Sequence, residues 1–519
     1  MLAAAIGGAG WWILVALAVA LLIIGVYDVV QKKHAILRNY PVLGHIRFLM
    51  EDIRPELQQY FIERNFDGRP YDRDTRSSIY ERSKGAKEEQ PFGTERDLYQ
   101  VGYEYLVHST VPQPVMEEEP RVRIGGPECT QPYRMALLNV SAMSFGALSA
   151  NAIQALNRGA ALGGFAHDTG EGGLSRYHRE GGDLVWEIGS GYFGCRTDEG
   201  DFDPHKFAET AALDQVKMVS LKLSQGAKPG IGGVLPGPKV SAEIAEARGV
   251  PAGEKCVSPP AHKVFATPRE LVRFIARMRE LAGGKPAGFK LCLGDTSEFL
   301  AICKAMLEEG TTPDFIIVDG AEGGTGAAPL EYEDHVGMPL TEGLMTVHNA
   351  LVGTGLRDRV VVGASGKVSS GIDVVKRLIQ GADFTNAARS MMMAVGCIQA
   401  QTCHTNTCPV GVATQDRRRM RALDVPSKAE RVRSYQHEVV EQVKQVIGSM
   451  GLSDLTELSP HLLRRRTADG RIQSYADIVE HLAPGQLLTG PPASWHDDWE
   501  RADPDSFASH TSPAPERNR

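Results

Sequence analysis

Two short stretches hold residues whose types and spacing could do chemistry. The first is CIQAQTCHTNTCPVGV, with Cys397, Cys403 and Cys408 at C-x5-C-x4-C and Pro409 behind the last. That spacing matches neither a zinc C-x2-C pair nor the common ferredoxin run. Three close thiolates can hold three irons, whereas a four-iron cluster normally takes four ligands. A structural zinc site stays open on spacing alone, and His404 is a spare ligand or a supporting residue. The second stretch is KLSQGAKPGIGG, which sets Lys222, Gln225 and Lys228 at intervals of three, with Arg248 further on. Cations and an amide around one turn suit a dicarboxylate, because charge-assisted bonds to carboxylates are the strong ones. Surface exposure is the ordinary fate of lysine, and the flanking glycines argue against it here.

A third pattern is built of glycine turns. Asp319 is followed by GAEGGTGAAP, containing Gly324, Thr325 and Gly326; Ser365-Gly366 and Ala388-Arg389 close later apolar runs. Successive turns of this kind resemble a phosphate cradle of converging backbone amides.

These groups need a scaffold that brings distant segments together. Apolar runs ending in Gly, Ser or Asp alternate with helical periods, the signature of β/α units. Strands are expected at 136–144, 164–170, 219–224, 288–294, 314–320, 360–366 and 382–388, with helices from Pro268, Ser297 and Gly371 between them. Seven or eight such units fit an α/β fold of the (β/α)8 TIM-barrel type. A doubly wound sheet would want a G-x-G-x-x-G at its first strand–helix turn, and none stands there.

The totals set bounds. With 42% hydrophobic and 23% charged residues the chain is an ordinary globular composition, and its net charge of −8 argues against nucleic acid as the main partner. Eight cysteines in 519 residues, three of them clustered, read as a reducing compartment rather than a disulfide framework. Residues 11–30 read WWILVALAVALLIIGVYDVV, about the ~20 residues a bilayer-crossing helix needs; a cleaved signal peptide is the alternative, and the length of the stretch and its lack of a basic n-region favour a retained anchor. Lys32, Lys33, His34 and Arg38 follow, so the positive-inside rule puts the body in the cytoplasm of a single-pass protein of the cytoplasmic membrane. The expected organisation is a tail (1–9), a transmembrane helix (10–30), a polar, partly helical connector (31–120), the barrel with its cysteine motif (121–420), a helical extension (421–500) and a disordered tail (501–519). The charged run from Arg69 is expected to be a solvated wrap.

The stretches MSFGALS (143–149), TGEGG (169–173), KLSQGAKPGIGG (222–233), SPPAH from Ser258, GGTGAAPL (323–330), GLRDRV (355–360) and CHTNTCPVGVATQD (403–416) resemble, in order, the FMN-binding synthase domain of glutamate synthases. The resemblance implies FMN at the barrel mouth, a [3Fe-4S] cluster on the three cysteines, and reduction of 2-iminoglutarate made from 2-oxoglutarate and ammonia. It places Glu171, Lys222, Gln225, Lys228 and Arg248 around 2-oxoglutarate, with Glu171, Lys222 and Lys228 as the catalytic set. Met143, Ser144 and Lys290 fall beside the flavin, and the turns at Gly324–Gly326, Ser365–Gly366 and Ala388–Arg389 at its phosphate. Family members begin with a glutaminase domain whose N-terminal Cys is the nucleophile; here the first cysteine is Cys129. The expected amine source is therefore free ammonia, a separate amidotransferase or another amine such as methylamine. The expected electron source is a ferredoxin-like protein, a reductase subunit or a membrane donor. Two other activities fit the same barrel: a dehydrogenase running an amino acid to its imine and feeding the membrane, and a non-catalytic electron-transfer protein.

Overall fold

The computed structural model describes residues 2–86 and 89–507. The chain divides into two compact units, one ending at Arg76 and the other beginning at Ser77.

In the first unit an N-terminal helix covers Leu2–Val30. Its Gly10–Val30 portion has a mean hydropathy of 2.8 and is long and apolar enough to cross a bilayer. A short helix, Ala35–Asn39, and a longer one, Gly44–Leu57, follow, the latter running into a π-turn at Gln58–Ile62.

The second unit is a closed barrel of eight parallel strands: β1 Leu138–Val140, β2 His167–Asp168, β3 Leu184–Ile188, β4 Val216–Lys222, β5 Ala287–Leu291, β6 Phe315–Asp319, β7 Val361–Ser365 and β8 Phe384–Ala387. Each strand pairs with the next, and β8 closes on β1 through Thr385–Leu138 and its neighbours. β3 and β5 are buried at every position, as strands covered by side chains inside and helices outside must be. The outer layer consists of α1 Ala150–Gly163, α2 Pro204–Ala211, α3 Pro268–Leu281, α4 Thr296–Glu309, α5 Leu340–Gly353, α6 Gly371–Ile379 and α7 Arg389–Val395. Caps fix several starts: Ser149, Thr267 and Asp295 accept from backbone N–H groups of α1, α3 and α4.

The expected barrel is present, with one strand not anticipated. β3 was hidden because the β2–β3 crossover has no long helix, only a turn with a 3-10 segment at Arg176–His178. The usual strand–helix–strand spacing therefore fails there. The floor of the barrel is sealed by an antiparallel hairpin, Arg121–Ile124 with Tyr133–Ala136. Its Ile124 and Met135 join Phe315 and Phe384 in one apolar cluster.

The segments outside the barrel are more structured than expected. In the charged run from Arg69, Ile79, Arg82 and Ser83 are buried, and Arg82 Nη1 donates to Ser369 O at 3.2 Å, so this part is not a solvated wrap. The C-terminal extension begins with α8, Val425–Ser449, lying so close to α1 that a Cβ on Gly159 would stand 2.7 Å from Val432. It then forms strands Leu463–Arg466 and Ile472–Ser474, which complete an antiparallel sheet with Glu104–Leu106. Residues 501–507, expected to be disordered, are packed: Arg269 N donates to Pro504 O and its guanidinium reaches Asp505. The rest of the expected tail, 508–519, lies outside the described residues.

Candidate active site

All the strands run the same way, so their C-terminal ends form one rim, and the candidate polar residues gather there. β2 leads into the turn that carries Glu171. β4, at seven residues the longest barrel strand, ends on Lys222. Lys222 Nζ donates to Glu171 Oε1 at 2.6 Å and to Gln225 Oε1 at 2.5 Å. Arg248, at the end of the short helix Ala242–Arg248, donates to Ser144 Oγ at 3.3 Å and stacks over the Phe193 ring at 5.1 Å. Lys228 Nζ reaches Ala327 O at 3.3 Å, bridging the β4 and β6 loops.

The backbone is shaped around the carboxylate. A Cβ on Gly233 would stand 2.2 Å from Glu171 Oε1, and one on Gly189 2.4 Å from Oε2. Only glycine allows both strands of backbone to come so near. Burial works to raise the Glu171 pKa, but Lys222, and behind it Lys228 and Arg248, outweigh it and hold the group down at about 2. Burial and the Lys222 charge in turn pull Lys228 down to about 8, against the pull of Glu171. Three cations thus surround one carboxylate, leaving a positive excess that an incoming anion would neutralise.

Lys290 lies directly across from Lys222 in the β4–β5 register, but it takes a different partner. It forms an ion pair with Glu187 on β3, both almost fully buried. Burial opposes its charge, yet Glu187, Asp168 and Asp319 keep the proton on and raise its pKa above the ordinary lysine value. Asp168, buried on β2, is pushed up by burial and by Glu187 to about 8. Asp319 anchors the β4 loop by accepting Gly226 N at 2.9 Å. Sequence reasoning missed Glu187 and Asp168. It also missed His262, whose Nε2 lies 2.8 Å from Lys222 O, although the SPPAH stretch containing it was the available signal.

The glycine turns lie at the ends of the late strands, where Gly320 N donates to Ser365 O at 2.9 Å. Arg389 Nη2 donates to Glu322 O, and its side chain fills the place a Cβ on Gly324 would take, 2.9 Å away. Nothing lies within 4 Å of the corresponding position at Gly326, so that turn opens into space. Ser365 Oγ lies 3.2 Å from Ser141 Oγ, and Gly366 adopts a φ of +152°. Thr325 Oγ1 reaches Ala327 O at 3.5 Å, and Met143 is buried beside Ser144. Ala388 precedes α7 directly. An arginine beside opened glycine backbone fits a phosphate.

The cysteine segment leaves α7 and folds back over the rim. Tyr80 donates to Cys397 O at 2.7 Å. The buried Lys239 ammonium reaches Cys403 O at 3.2 Å and Ala147 O at 2.7 Å. Positive φ angles at Gln399, Gln401 and Asn406 bend the chain tightly between the thiols. Burial, and then the Cys403 and Cys408 sulfurs, push the Cys397 thiol up to about 12. Burial and the Cys408 sulfur raise the Cys403 thiol as well; a bound iron is what would ionise such thiols. Among the described residues no three His, Cys, Asp or Glu side chains converge on a single ion. A multi-iron cluster makes a different demand, since each thiolate binds its own iron.

A closed parallel barrel with charged side chains, glycine turns and a three-thiol loop at one rim places the chain in the (β/α)8-barrel class. The conserved region in glutamate synthase matches residues 83–453. The glutamate synthase large subunit-like protein YerD of Bacillus subtilis is 36% identical over 494 residues, covering 87% of this chain and 94% of that protein. Archaeal-type glutamate synthase [NADPH] of Thermotoga neapolitana is 33% identical over 61% of this chain, and the match spans 60% of that protein's length. The chain belongs to the glutamate synthase family and is an oxidoreductase of that type. A mutant flavocytochrome b2 with pyruvate bound covers 81% of this chain and 85% of its own, at a TM-score of 0.40 and 13% identity, a likeness too slight to carry argument.

Proposed function

We propose that the chain is an FMN- and iron–sulfur-dependent oxidoreductase. It reduces 2-iminoglutarate, formed from 2-oxoglutarate and ammonia or another amine, to glutamate or an N-substituted glutamate. The observation that carries this reading is the single carboxylate of Glu171 held among Lys222, Lys228 and Arg248 at the rim.

The substrate's two carboxylates would take the place Glu171 holds among the cations, with Lys222, Lys228 and Arg248 as donors and Gln225 orienting Lys222. Displaced from Lys222, Glu171 loses the contact that keeps its pKa near 2. Its pKa then rises, and the group becomes able to hold a proton beside the nitrogen as imine becomes amine. His262 fixes the end of β4 from behind through Lys222 O. The turns at Gly324–Gly326, Ser365–Gly366 and Ala388–Arg389 fit the phosphate of FMN, with Met143, Ser144 and Lys290 beside its ring system. Cys397, Cys403 and Cys408 would hold the [3Fe-4S] cluster, with Lys239 as a buried cation beside it. When bound, FMN supplies the hydride and takes up single electrons passed on by the cluster.

The Gly10–Val30 helix supports a single-pass anchor in the cytoplasmic membrane, with the barrel on the side of Lys32, Lys33 and Arg38. Electrons then come from a ferredoxin-like or reductase partner, and nitrogen from ammonia, methylamine or a separate amidotransferase.

Purified protein supplied with a chemical reductant and 2-oxoglutarate is expected to yield the matching glutamate with ammonia or methylamine, and with glutamine only when an amidotransferase is added. Failure with every amine while reduced FMN persists sinks this reading. Cys403→Ser should remove the iron and its visible absorption and leave FMN bound; iron retained at full occupancy rejects the three-cysteine ligand set.

A further inference from the structure

The apolar surface of the first unit does not stop at Val30. In the helix Gly44–Leu57 and the π-turn after it, Ile46, Leu49, Met50, Ile53, Leu57, Tyr60 and Phe61 recur at intervals of three and four. That spacing draws one stripe along a helix. All seven are exposed, from 37% at Ile53 to 82% at Phe61. Arg47, Glu51, Asp52 and Arg54 occupy the flanks and the other side and are exposed as well, with Arg47 paired to Glu51 at 2.9 Å. Phe48, off the stripe, packs edge-on against His34. The helix is thus partnered on its back and bare along its most apolar face.

Its start is fastened to the end of the N-terminal helix. Asp28, with no exposed side-chain surface, accepts Val42 N at 2.8 Å and meets His45 Nε2 at 2.9 Å. A Cβ on Gly25 would stand 3.7 Å from the Val42 side chain. Asp28 stands two residues before Val30, about 3 Å along the helix. The head of the second helix is therefore held at the level where the apolar helix ends. Lys32, Lys33 and Arg38 stand at the same level, where anionic headgroups attract basic side chains.

We propose that residues 44–62 form an interfacial helix. It lies in the headgroup–acyl boundary of the bilayer that the N-terminal helix enters, with the stripe from Ile46 to Phe61 facing the acyl chains. The occupant of the bare face is the lipid surface; Arg47 and Arg54 at the flanks extend toward headgroups. The inference rests on the reading of Gly10–Val30 as a membrane anchor and extends it from one crossing helix to an anchor that also fixes orientation at the surface.

The full-length protein, reconstituted in phosphatidylcholine–phosphatidylglycerol vesicles with brominated acyl chains, tests both statements separately. Trp186, Trp495 and Trp499 emit as well, so the difference between the parent and a variant with both Trp11→Phe and Trp12→Phe reports the crossing helix. Ile53→Trp and Leu49→Trp each add a reporter on the stripe, and Glu51→Trp adds one on the opposite side. Lipids brominated near the carbonyl end are expected to cut the added stripe emission about twofold or more, and lipids brominated near the methyl end less, as a depth of ~5–10 Å requires. Glu51→Trp should show little quenching from either. If Trp11 and Trp12 are not quenched, the anchor fails and this inference with it. If they are quenched while both stripe reporters are not, a protein surface covers the stripe and only the interfacial helix is overturned. Equal quenching at positions 51 and 53 overturns it too.

Discussion

Two lysine–carboxylate pairs sit on adjacent strands of the barrel and behave in opposite ways. At the rim, Lys222 and Glu171 are 2.6 Å apart, and two further cations stand close to the carboxylate. One rung over, Lys290 and Glu187 pair in the interior, with Asp168 and Asp319 close to the cation. The count of charges, not the pairing itself, decides the outcome. Where cations are in excess, the carboxylate is held ionised at about 2 and the neighbouring Lys228 falls to about 8. Where carboxylates are in excess, the lysine keeps its proton and Asp168 rises to about 8, so one carboxyl carries a hydrogen at neutral pH. The rim has an excess of cations and the interior an excess of carboxylates.

The largest effect comes from removing the interior cation. Lys290→Met leaves buried carboxylates without their counter-charge and is expected to cost about 3–5 kcal/mol of stability in urea unfolding; a variant as stable as the parent would show that the interior pair is solvated. At the rim, Lys222→Ala should lower kcat/KM for 2-oxoglutarate about 100-fold or more, consistent with ~2–5 kcal/mol for truncating one partner of a buried charged pair, while urea stability changes far less than in Lys290→Met. A rim variant that loses stability instead of turnover would erase the distinction between the two pairs.

The pH dependence should separate them further. Lys228 is protonated below about 8, so the KM for the dicarboxylate is expected to rise as pH passes that value, approaching ~10-fold per pH unit where binding requires the cation. In acid, Glu171 contributes stability that is fully present above its ordinary value of 4.5 and disappears as pH falls toward about 2. A Glu171→Gln variant should therefore lose less stability over that window than the parent. Asp168 runs the other way. Raised above its ordinary 3.8 to about 8, it costs nothing in acid and progressively more as pH climbs between those two values, because the unfolded chain releases the proton earlier. Asp168→Asn should therefore gain stability relative to the parent as pH rises through that window, measured by the same unfolding midpoints.

What could be read from the chain follows the same divide. The rim residues were legible because they lie in continuous motifs: Lys222, Gln225 and Lys228 come from one loop, and Glu171 from one turn. The strands were legible where an apolar run ends in glycine and a helix follows, as at 288–294 and 314–320. β3 escaped because no helix precedes it, and Glu187 with it. The interior cluster joins side chains from strands β2, β3, β5 and β6, and no spacing in a single segment encodes a partnership across that distance. The order in residues 501–507 was equally invisible: it rests on Lys304 donating to Trp499 O and Ala502 O, a contact that composition cannot announce.

The small antiparallel sheet outside the barrel has a consequence for biosynthesis. Strand Glu104–Leu106 pairs with Leu463–Arg466, and Glu104 is further held by Lys376 and Tyr475. At ~5–20 residues per second, a ribosome takes roughly 20–70 s to deliver the second strand after the first. Throughout that interval the early strand waits with its hydrogen-bonding edge open while the barrel is threaded behind it. The clasp closes only after every barrel strand has been made, which makes the nascent chain, rather than the finished enzyme, the form most exposed to mispairing.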